Sequence, residues 1–142
     1  MKHLLLALLV AAGSTAFAQD VYKARLRLVP IDGTMQRTTF GEGQATATLT
    51  GTKLVVNGTF EALASPATTA KIHQGAKMGV RGMPILDITV AKATSGAITG
   101  TVDLNATQVE ALKAGRLYIQ IASEKSPDGN LWGWLLPQEN KR

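Results

Sequence analysis

The sequence predicts an all-β domain of about eight short strands with one short helix. Apolar and polar residues alternate with a period of two in most segments of the chain, which is typical of strands with one buried face. Glycine and other turn-forming residues separate these segments, as expected for hairpins. One segment instead has helical spacing with capping residues at both ends. Together these observations favour a β-sandwich or a Greek-key barrel.

The clearest hairpin joins two strands through Gly51 and Thr52. Residues 44–50 alternate strictly between Ala or Leu and Gln or Thr, and residues 53–60 show the same alternation. A two-residue loop with glycine first is typical of a type II′ turn. The predicted strands are 22–28, 44–50, 53–60, 68–73, 86–91, 98–104, 117–122 and 131–136.

Residues 106–114 form the predicted helix. Asn105 can cap its N-terminus, with Gln108 at the position that a capping box requires, and Gly115 can end it. Two apolar residues three positions apart can hold the helix against the strands. These residues are Val109 and Leu112.

Residues 1–18 are predicted to be a secretory signal peptide. Lys2 and His3 precede an apolar run at 4–12, and the small residues at 16–18 form a cleavage signal. The run is shorter than the roughly 20 residues that span a bilayer, so no membrane-spanning protein is expected. Residues 19–142 are predicted to be a single domain with a periplasmic or secreted location, and the short leader is typical of bacterial export.

The composition leaves few side chains for catalysis. The chain has no cysteine, and His73 is the one histidine outside the predicted signal peptide. Histidine is the usual acid or base near neutral pH, and no serine lies in a nucleophile-elbow pattern. Ser65 and Ser123 are the remaining conceivable partners of His73, but we predict no catalytic residues and no enzyme. The net charge of +5 favours contact with anionic surfaces, whereas no basic run is interleaved with aromatics, so no nucleic-acid partner is predicted.

Several segments follow one another in a recognisable order. They are Ala45-Thr-Ala-Thr-Leu-Thr-Gly51, residues 54–60, Leu63-Ala-Ser-Pro-Ala-Thr-Thr-Ala-Lys-Ile-His73, Gly100-Thr-Val-Asp-Leu104, Gln108-Val-Glu-Ala-Leu-Lys-Ala-Gly-Arg-Leu-Tyr118 and Ser126-Pro-Asp-Gly-Asn-Leu-Trp-Gly133. Over residues 25–137 this order resembles the chordin-like, or CHRD, domain family. The resemblance implies an immunoglobulin-like secreted domain without established catalytic activity, as found in bacterial exported proteins. We therefore predict an immunoglobulin-like, Greek-key β-sandwich of about eight strands with one short helix.

The chain departs from that family at its histidines. Members commonly carry a His-x-His pair where this chain has Lys71, Ile72 and His73, and a further His where this chain has Ala122. Two histidines at i and i+2 share one face of a strand, as a metal site requires, and such a pair is similar to the copper-ligand strand of Cu/Zn superoxide dismutases. Because Lys71 and Ala122 replace ligands, the sequence predicts neither a dismutase nor a zinc protein of that design.

A copper site of another kind remains an alternative. His73 precedes a glycine-containing loop with Met78 and Met83, and one imidazole with two thioethers can hold Cu(I). The competing interpretation is a histidine beside a turn with two methionines that serve packing, in which case the protein has no cofactor.

Two groups of residues are candidates for a binding surface. Lys23, Arg25 and Arg27 share one face of the first strand, which at a sheet edge would display a basic stripe to acidic partners. The alternative is a charged edge that only discourages aggregation. Trp132 and Trp134 also share one face of a strand, where they either close the core or form a stacking platform.

The function predicted from the sequence is a non-catalytic binding or interaction module that is periplasmic or secreted. Its predicted partner is another exported protein or an anionic surface. The alternative function is periplasmic copper binding through His73, Met78 and Met83.

Overall fold

The computed structural model describes residues 19–30 and 39–138, which contain nine strands and one helix. The predicted signal peptide lies outside the described residues. All eight predicted strands are present, with ends within three residues of the prediction. In chain order the elements are β1 (Gln19–Leu28), β2 (Glu42–Thr50), β3 (Lys53–Glu61), β4 (Ala67–Gln74), β5 (Met83–Val90), β6 (Gly96–Asp103), α1 (Ala106–Lys113), β7 (Leu117–Ser123), β8 (Leu131–Trp134) and β9 (Leu136–Pro137).

The predicted β-sandwich is wrong, because the sheet closes on itself as an eight-stranded antiparallel β-barrel. Around the barrel the strand order is β2, β3, β6, β5, β4, β7, β8 and β1, and β1 then pairs with β2 to complete the circle. The two-residue strand β9 adds to β1. No helix in the described ranges has the length and apolar character needed to cross a lipid bilayer.

Two strands close the barrel by changing partners along their length. Residues 19–26 of β1 pair with β2, whereas Arg27 and Leu28 pair with β8. Strand β5 pairs with β4 over most of its length, but its last two residues, Thr89 and Val90, pair with β6. A period of two occurs in sandwiches and barrels alike, so the alternation could not distinguish these folds.

Apolar side chains fill the barrel, and every strand from β1 to β8 contributes at least one. Several inward positions are Ala or Gly, which lets the walls approach closely. A Cβ on Gly58 would lie 2.3 Å from the carbonyl oxygen of Gln44, and a Cβ on Gly133 would lie 2.7 Å from the carbonyl oxygen of Arg25. The barrel is therefore narrow and packed rather than hollow.

The predicted hairpin and helix both form. Thr50 pairs with Lys53 across the turn, and Gly51 has a φ of 63° whereas Thr52 has no positive φ, which is the type II′ arrangement. The side chain of Asn105 accepts from the backbone N–H of Gln108 at 2.8 Å, and the side chain of Gln108 accepts from the backbone N–H of Asn105 at 3.0 Å. This capping box begins α1 as predicted.

Helix α1 ends at Lys113, and the predicted terminating residue Gly115 follows the C-cap Ala114 with a φ of +74°. Leu112 is fully buried, and Val109 packs against the core. The two predicted anchoring residues therefore attach α1 to the barrel, next to the start of β7.

Candidate functional site

Four rings form a cluster on the outer wall of the barrel. The outward position of these rings follows from the alternation of side chains along a strand. Leu117 and Ile119 point into the barrel, so Tyr118 between them lies on the outside. The antiparallel registers then bring the outward residues of β4, β7 and β8 side by side. The members of this aromatic cluster are His73, Tyr118, Trp132 and Trp134.

Tyr118 lies at the centre of the aromatic cluster. Its ring stacks on His73 with centroids 4.9 Å apart, and it contacts Trp134 at 4.5 Å and Trp132 at 5.5 Å. Tyr118 is only 1% exposed, whereas both tryptophans are half-buried and stand on the outer face. The tryptophans thus lie outside the barrel core, and part of each indole surface is open to solvent.

The aromatic cluster also fixes the loop that joins β4 to β5, residues 75–82. The backbone N–H of Gly82 donates to the hydroxyl of Tyr118 at 3.0 Å, and that hydroxyl donates to the carbonyl of Gly82 at 3.1 Å. At the other end of the loop, a Cβ on Gly75 would lie 2.9 Å from Cη2 of Trp134. The loop backbone is therefore held directly against the rings.

His73 has a defined tautomer in this arrangement. Its Nδ1 lies 3.1 Å from the carbonyl oxygen of Gly82, and a carbonyl can only accept, so Nδ1 carries the proton. The lone pair of neutral His73 is consequently on Nε2. Nε2 makes no hydrogen bond to another described residue. Because every buried side-chain nitrogen or oxygen in the described ranges has a hydrogen-bond partner, Nε2 is not buried and is in contact with solvent.

The surroundings of His73 favour its neutral form. Burial lowers the pKa of His73 below its ordinary value of about 6.5, because the charged imidazolium is disfavoured away from water. The hydrogen bond to Gly82 acts in the opposite direction, and the cations Lys71 and Arg81 lower the pKa further. Lys71 itself forms an ion pair with Asp87 at 3.4 Å.

This lowered pKa predicts a pH-dependent stability. The unfolded chain binds a proton at His73 more readily than the folded chain does, so the free energy of unfolding falls as the pH drops below about 6.5. Urea unfolding of the natural protein and of His73→Gln between pH 8 and pH 5 measures the effect. We expect the difference in the free energy of unfolding between the two proteins to be constant at high pH. As the pH falls, the natural protein should lose stability relative to His73→Gln. A pH-independent difference would contradict the prediction.

The basic stripe, Lys23, Arg25 and Arg27, is exposed on the outer wall of β1. The stripe does not lie at a sheet edge, because β1 pairs with β2 on one side and with β8 and β9 on the other. A role in protecting an edge from aggregation therefore does not apply. None of the three cations forms an ion pair with a described carboxylate.

The basic stripe and the aromatic cluster are neighbours. Arg27 lies directly across from Trp132 in the pairing of β1 with β8. On its other side the stripe faces neutral polar residues of β2, with Lys23 across from Thr46 and Arg25 across from Gln44. An open groove of about 1640 Å³ follows this wall, with Trp134 among the described residues that line it.

The loop methionines lie in solvent. Met78 is 56% exposed and Met83 is 75% exposed, so neither is a packing residue. Met83 pairs with Gln74 in the β4–β5 ladder, next to His73. In the described parts of the chain, no three His, Cys, Asp or Glu residues lie together as a metal site.

The two serines considered as partners of His73 lie at the far end of β4. Ser123 pairs with Ala67 at the start of that strand, and its hydroxyl donates to the side chain of Asn130 at 2.8 Å. Ser65 accepts from the backbone N–H of Lys125 at 2.9 Å. His73 is about 20 Å away along the strand, at roughly 3.3 Å per residue. The structure therefore does not bring either serine to His73.

A comparison with family models identifies the chain. The model of the CHRD domain matches residues 28–135. The chain belongs to the CHRD domain family. CHRD is a non-enzymatic domain family whose members are typically extracellular, and the searches of curated proteins and of solved structures found no match.

The family match covers only part of the candidate surface. The CHRD match includes the whole aromatic cluster and the β4–β5 loop, whereas Lys23, Arg25 and Arg27 precede it. Tyr118 and Gly82 were not among the site residues predicted from the sequence. The signal for Tyr118 was present, because it alternates with Leu117 and Ile119 and so lies on the outward face of its strand. Nothing in the local pattern pointed to Gly82.

Proposed function

We propose that this CHRD domain is a non-catalytic binding module that holds an acidic polysaccharide against the outer wall of its barrel. The observation that carries the proposal is the position of Arg27 directly across from Trp132. The guanidinium of Arg27 and the partly exposed indole of Trp132 can therefore contact the same ligand. Acidic polysaccharides carry both features that this pair recognises, a sugar ring with an apolar face and a carboxylate or sulfate.

The aromatic side of the wall suits sugar rings. Trp132 and Trp134 meet edge to face with centroids 5.6 Å apart, and Tyr118 supports both rings from β7. Rings that are held by their neighbours lose little conformational freedom when a ligand binds. The solvent-accessible parts of these rings can stack on the C–H groups of a pyranose. Tryptophan is suited to such a position, between an apolar environment and water.

The basic side of the wall suits the acidic groups. Arg25 and Arg27 are two residues apart on one strand face, so they project side by side. The planar guanidinium binds carboxylates and sulfates through two parallel hydrogen bonds. The neighbouring amide of Gln44 and hydroxyl of Thr46 add neutral partners for sugar hydroxyls.

Binding to polygalacturonate tests the proposal, with neutral dextran as the comparison polymer. We expect polygalacturonate to quench the tryptophan fluorescence and dextran to have little effect. The Arg25→Gln/Arg27→Gln variant should bind about thirtyfold more weakly, since the two lost ionic contacts together cost on the order of 2 kcal/mol. Trp132→Ala should weaken binding by a similar factor.

A matched control separates a site from general attraction to charge. Lys92→Gln/Lys125→Gln removes the same charge from exposed residues outside this wall and should leave the affinity nearly unchanged. Equal losses in the two double variants, or no binding of polygalacturonate by the natural protein, would overturn the proposal.

The proposed setting of this function is the periplasm or the extracellular space. It follows from the apolar run at 4–12 and the small residues at 16–18. The intact mass of the protein purified from its own host should correspond to a chain that starts at Gln19. A mass that includes residues 1–18 would contradict export by cleavage.

Copper binding is a second candidate function, because of the tautomer of His73. The hydrogen bond from Nδ1 to Gly82 leaves the Nε2 lone pair toward solvent, and histidine ligands in metal sites are commonly oriented by such a bond to a carbonyl. Met78 and Met83 supply exposed thioethers from the same loop and its end. A Cu(I) titration in competition with bicinchoninate tests this candidate.

The expected result of that titration is one Cu(I) per chain with an affinity tighter than micromolar. His73→Gln and Met83→Leu should each weaken the affinity about tenfold or more, since each removes one ligand. An affinity no tighter than micromolar would dispose of the copper function.

A further inference from the structure

We propose that the loop between β4 and β5 docks the domain onto an anionic membrane surface. The loop and the first residue of β5 expose three large apolar side chains within six residues, since Met78 is 56%, Val80 is 39% and Met83 is 75% exposed. A soluble domain seldom shows such a concentration of apolar surface without a partner. This inference goes beyond polysaccharide binding and uses the exposed tip of a loop whose base packs on the aromatic cluster.

The loop holds these side chains outward in a fixed shape. The backbone N–H of Val80 donates to the carbonyl of Lys77 at 3.1 Å, and Gly79 has a φ of +85°, so residues 77–80 form a tight turn. At the base, the N–H of Gly75 donates to the carbonyl of Arg116 at 2.9 Å. Together with the hydrogen bonds of Gly82 to Tyr118, these contacts fix both ends of the loop.

The charges of the loop identify its partner as an anionic lipid surface. Lys77 and Arg81 flank the apolar residues and are exposed, and no acidic residue occurs from Lys71 to Leu86. At a membrane interface, apolar side chains enter the boundary between headgroups and acyl chains while cations remain at the phosphates. A second copy of the same loop fits poorly, because it would bring Lys77 and Arg81 against their own equivalents.

Vesicle cosedimentation of the processed protein tests the inference. The vesicles contain phosphatidylglycerol mixed with phosphatidylcholine, and pure phosphatidylcholine vesicles are the comparison. We expect binding to the mixed vesicles and much weaker binding to the neutral ones. Met78→Ser/Met83→Ser should lower the partition coefficient about tenfold or more, because two inserted side chains become polar. Lys77→Gln/Arg81→Gln should remove the preference for phosphatidylglycerol.

Phe40→Ser is the matched control, because Phe40 is 54% exposed and lies outside this loop. It should bind vesicles like the natural protein, and matching thermal unfolding curves would show that all variants are folded. The inference is overturned if the natural protein does not bind the mixed vesicles, or if Phe40→Ser loses as much as Met78→Ser/Met83→Ser. It is also overturned if only Arg25→Gln/Arg27→Gln abolishes vesicle binding, since the basic stripe would then be the lipid contact. Concentration-dependent dimerisation that Met78→Ser/Met83→Ser abolishes, without vesicle binding, would assign the loop to a second copy instead.

Discussion

A Gly133→Ala variant is expected to be about 1–3 kcal/mol less stable than the natural protein, although only one methyl group is added. The new Cβ would lie 2.7 Å from the carbonyl oxygen of Arg25 and 2.7 Å from Cδ2 of Leu26. The Leu26 side chain can rotate, but the Arg25 carbonyl belongs to the backbone of β1. Relief of the contact therefore moves β1 away from β8.

That movement is costly because the barrel closes through a short seam. Within the described residues, this seam consists of the ladder pairs Arg27 with Trp132 and Leu28 with Leu131, continued by the hydrogen bond from the N–H of Val29 to the carbonyl of Asn130. Displacing β1 at Arg25 strains these two adjacent pairs and opens the packed interior, where Leu26 and Leu131 are fully buried. The Ala variant should consequently exchange the amide hydrogens of this seam faster than the natural protein.

Urea unfolding followed by tryptophan fluorescence measures the loss of stability. Gly51→Ala is the control, since nothing lies within 4 Å of its Cβ and only its φ of +63° opposes the substitution. Because alanine with a positive φ costs roughly 1 kcal/mol, Gly51→Ala should lose about that amount, but amide exchange at the junction of β1 with β8 should stay unchanged. A Gly133→Ala variant as stable as the natural protein, or more stable, would show that the seam does not require glycine.

The second large effect is expected at Tyr118. Tyr118→Ala should lower the free energy of unfolding by about 3–5 kcal/mol, as for other buried aromatic residues that are truncated. The ring supports His73, Trp132 and Trp134 at once, so its removal leaves all three without their common contact. We also expect the near-ultraviolet circular dichroism to weaken, because that signal depends on fixed aromatic neighbours.

Tyr118→Phe separates the hydroxyl from the ring. It should cost about 1–2 kcal/mol, because the backbone N–H of Gly82 loses its acceptor in a partly buried position. Amide exchange at Gly82 should accelerate more than exchange in the middle of β7. Tyr22→Phe is the matched control, since Tyr22 is also buried but its hydroxyl has no hydrogen bond to another described residue. Equal costs for the two Phe variants would contradict a specific role for the bond between Tyr118 and Gly82.

The face on which most strand side chains lie could be predicted from the sequence, although the face of Trp132 and Trp134 was left open. Alternation places Arg25 and Arg27 outside and Leu26 inside for any strand in an extended conformation, and the structure agrees. The turn at Gly51 and the capping box at Asn105 were equally predictable. Their geometry depends on φ angles and on hydrogen bonds between residues at most three apart.

The partners of the strands could not be predicted in the same way. The alternation at residues 22–28 does not indicate that β1 begins at Gln19. The full strand has ten residues, and this length allows β1 to pair with both β2 and β8. Whether the stripe on β1 lies at an edge was therefore open from the sequence, and the structure places it on a closed wall. The contact of Tyr118 with Gly82 joins residues 36 positions apart, so no local pattern could contain it.

The sequence by itself determined the strands, the turn, the capped helix and the outward basic residues, because each depends on neighbours a few positions away. Only the tertiary structure decided that the sheet closes into a barrel, that Arg27 stands beside Trp132, and that Ser65 and Ser123 lie far from His73. Strand pairing is chosen by the summed packing of the whole interior, including the close approach of β1 to Gly133. Two arrangements with the same alternation can therefore differ in fold and in surface.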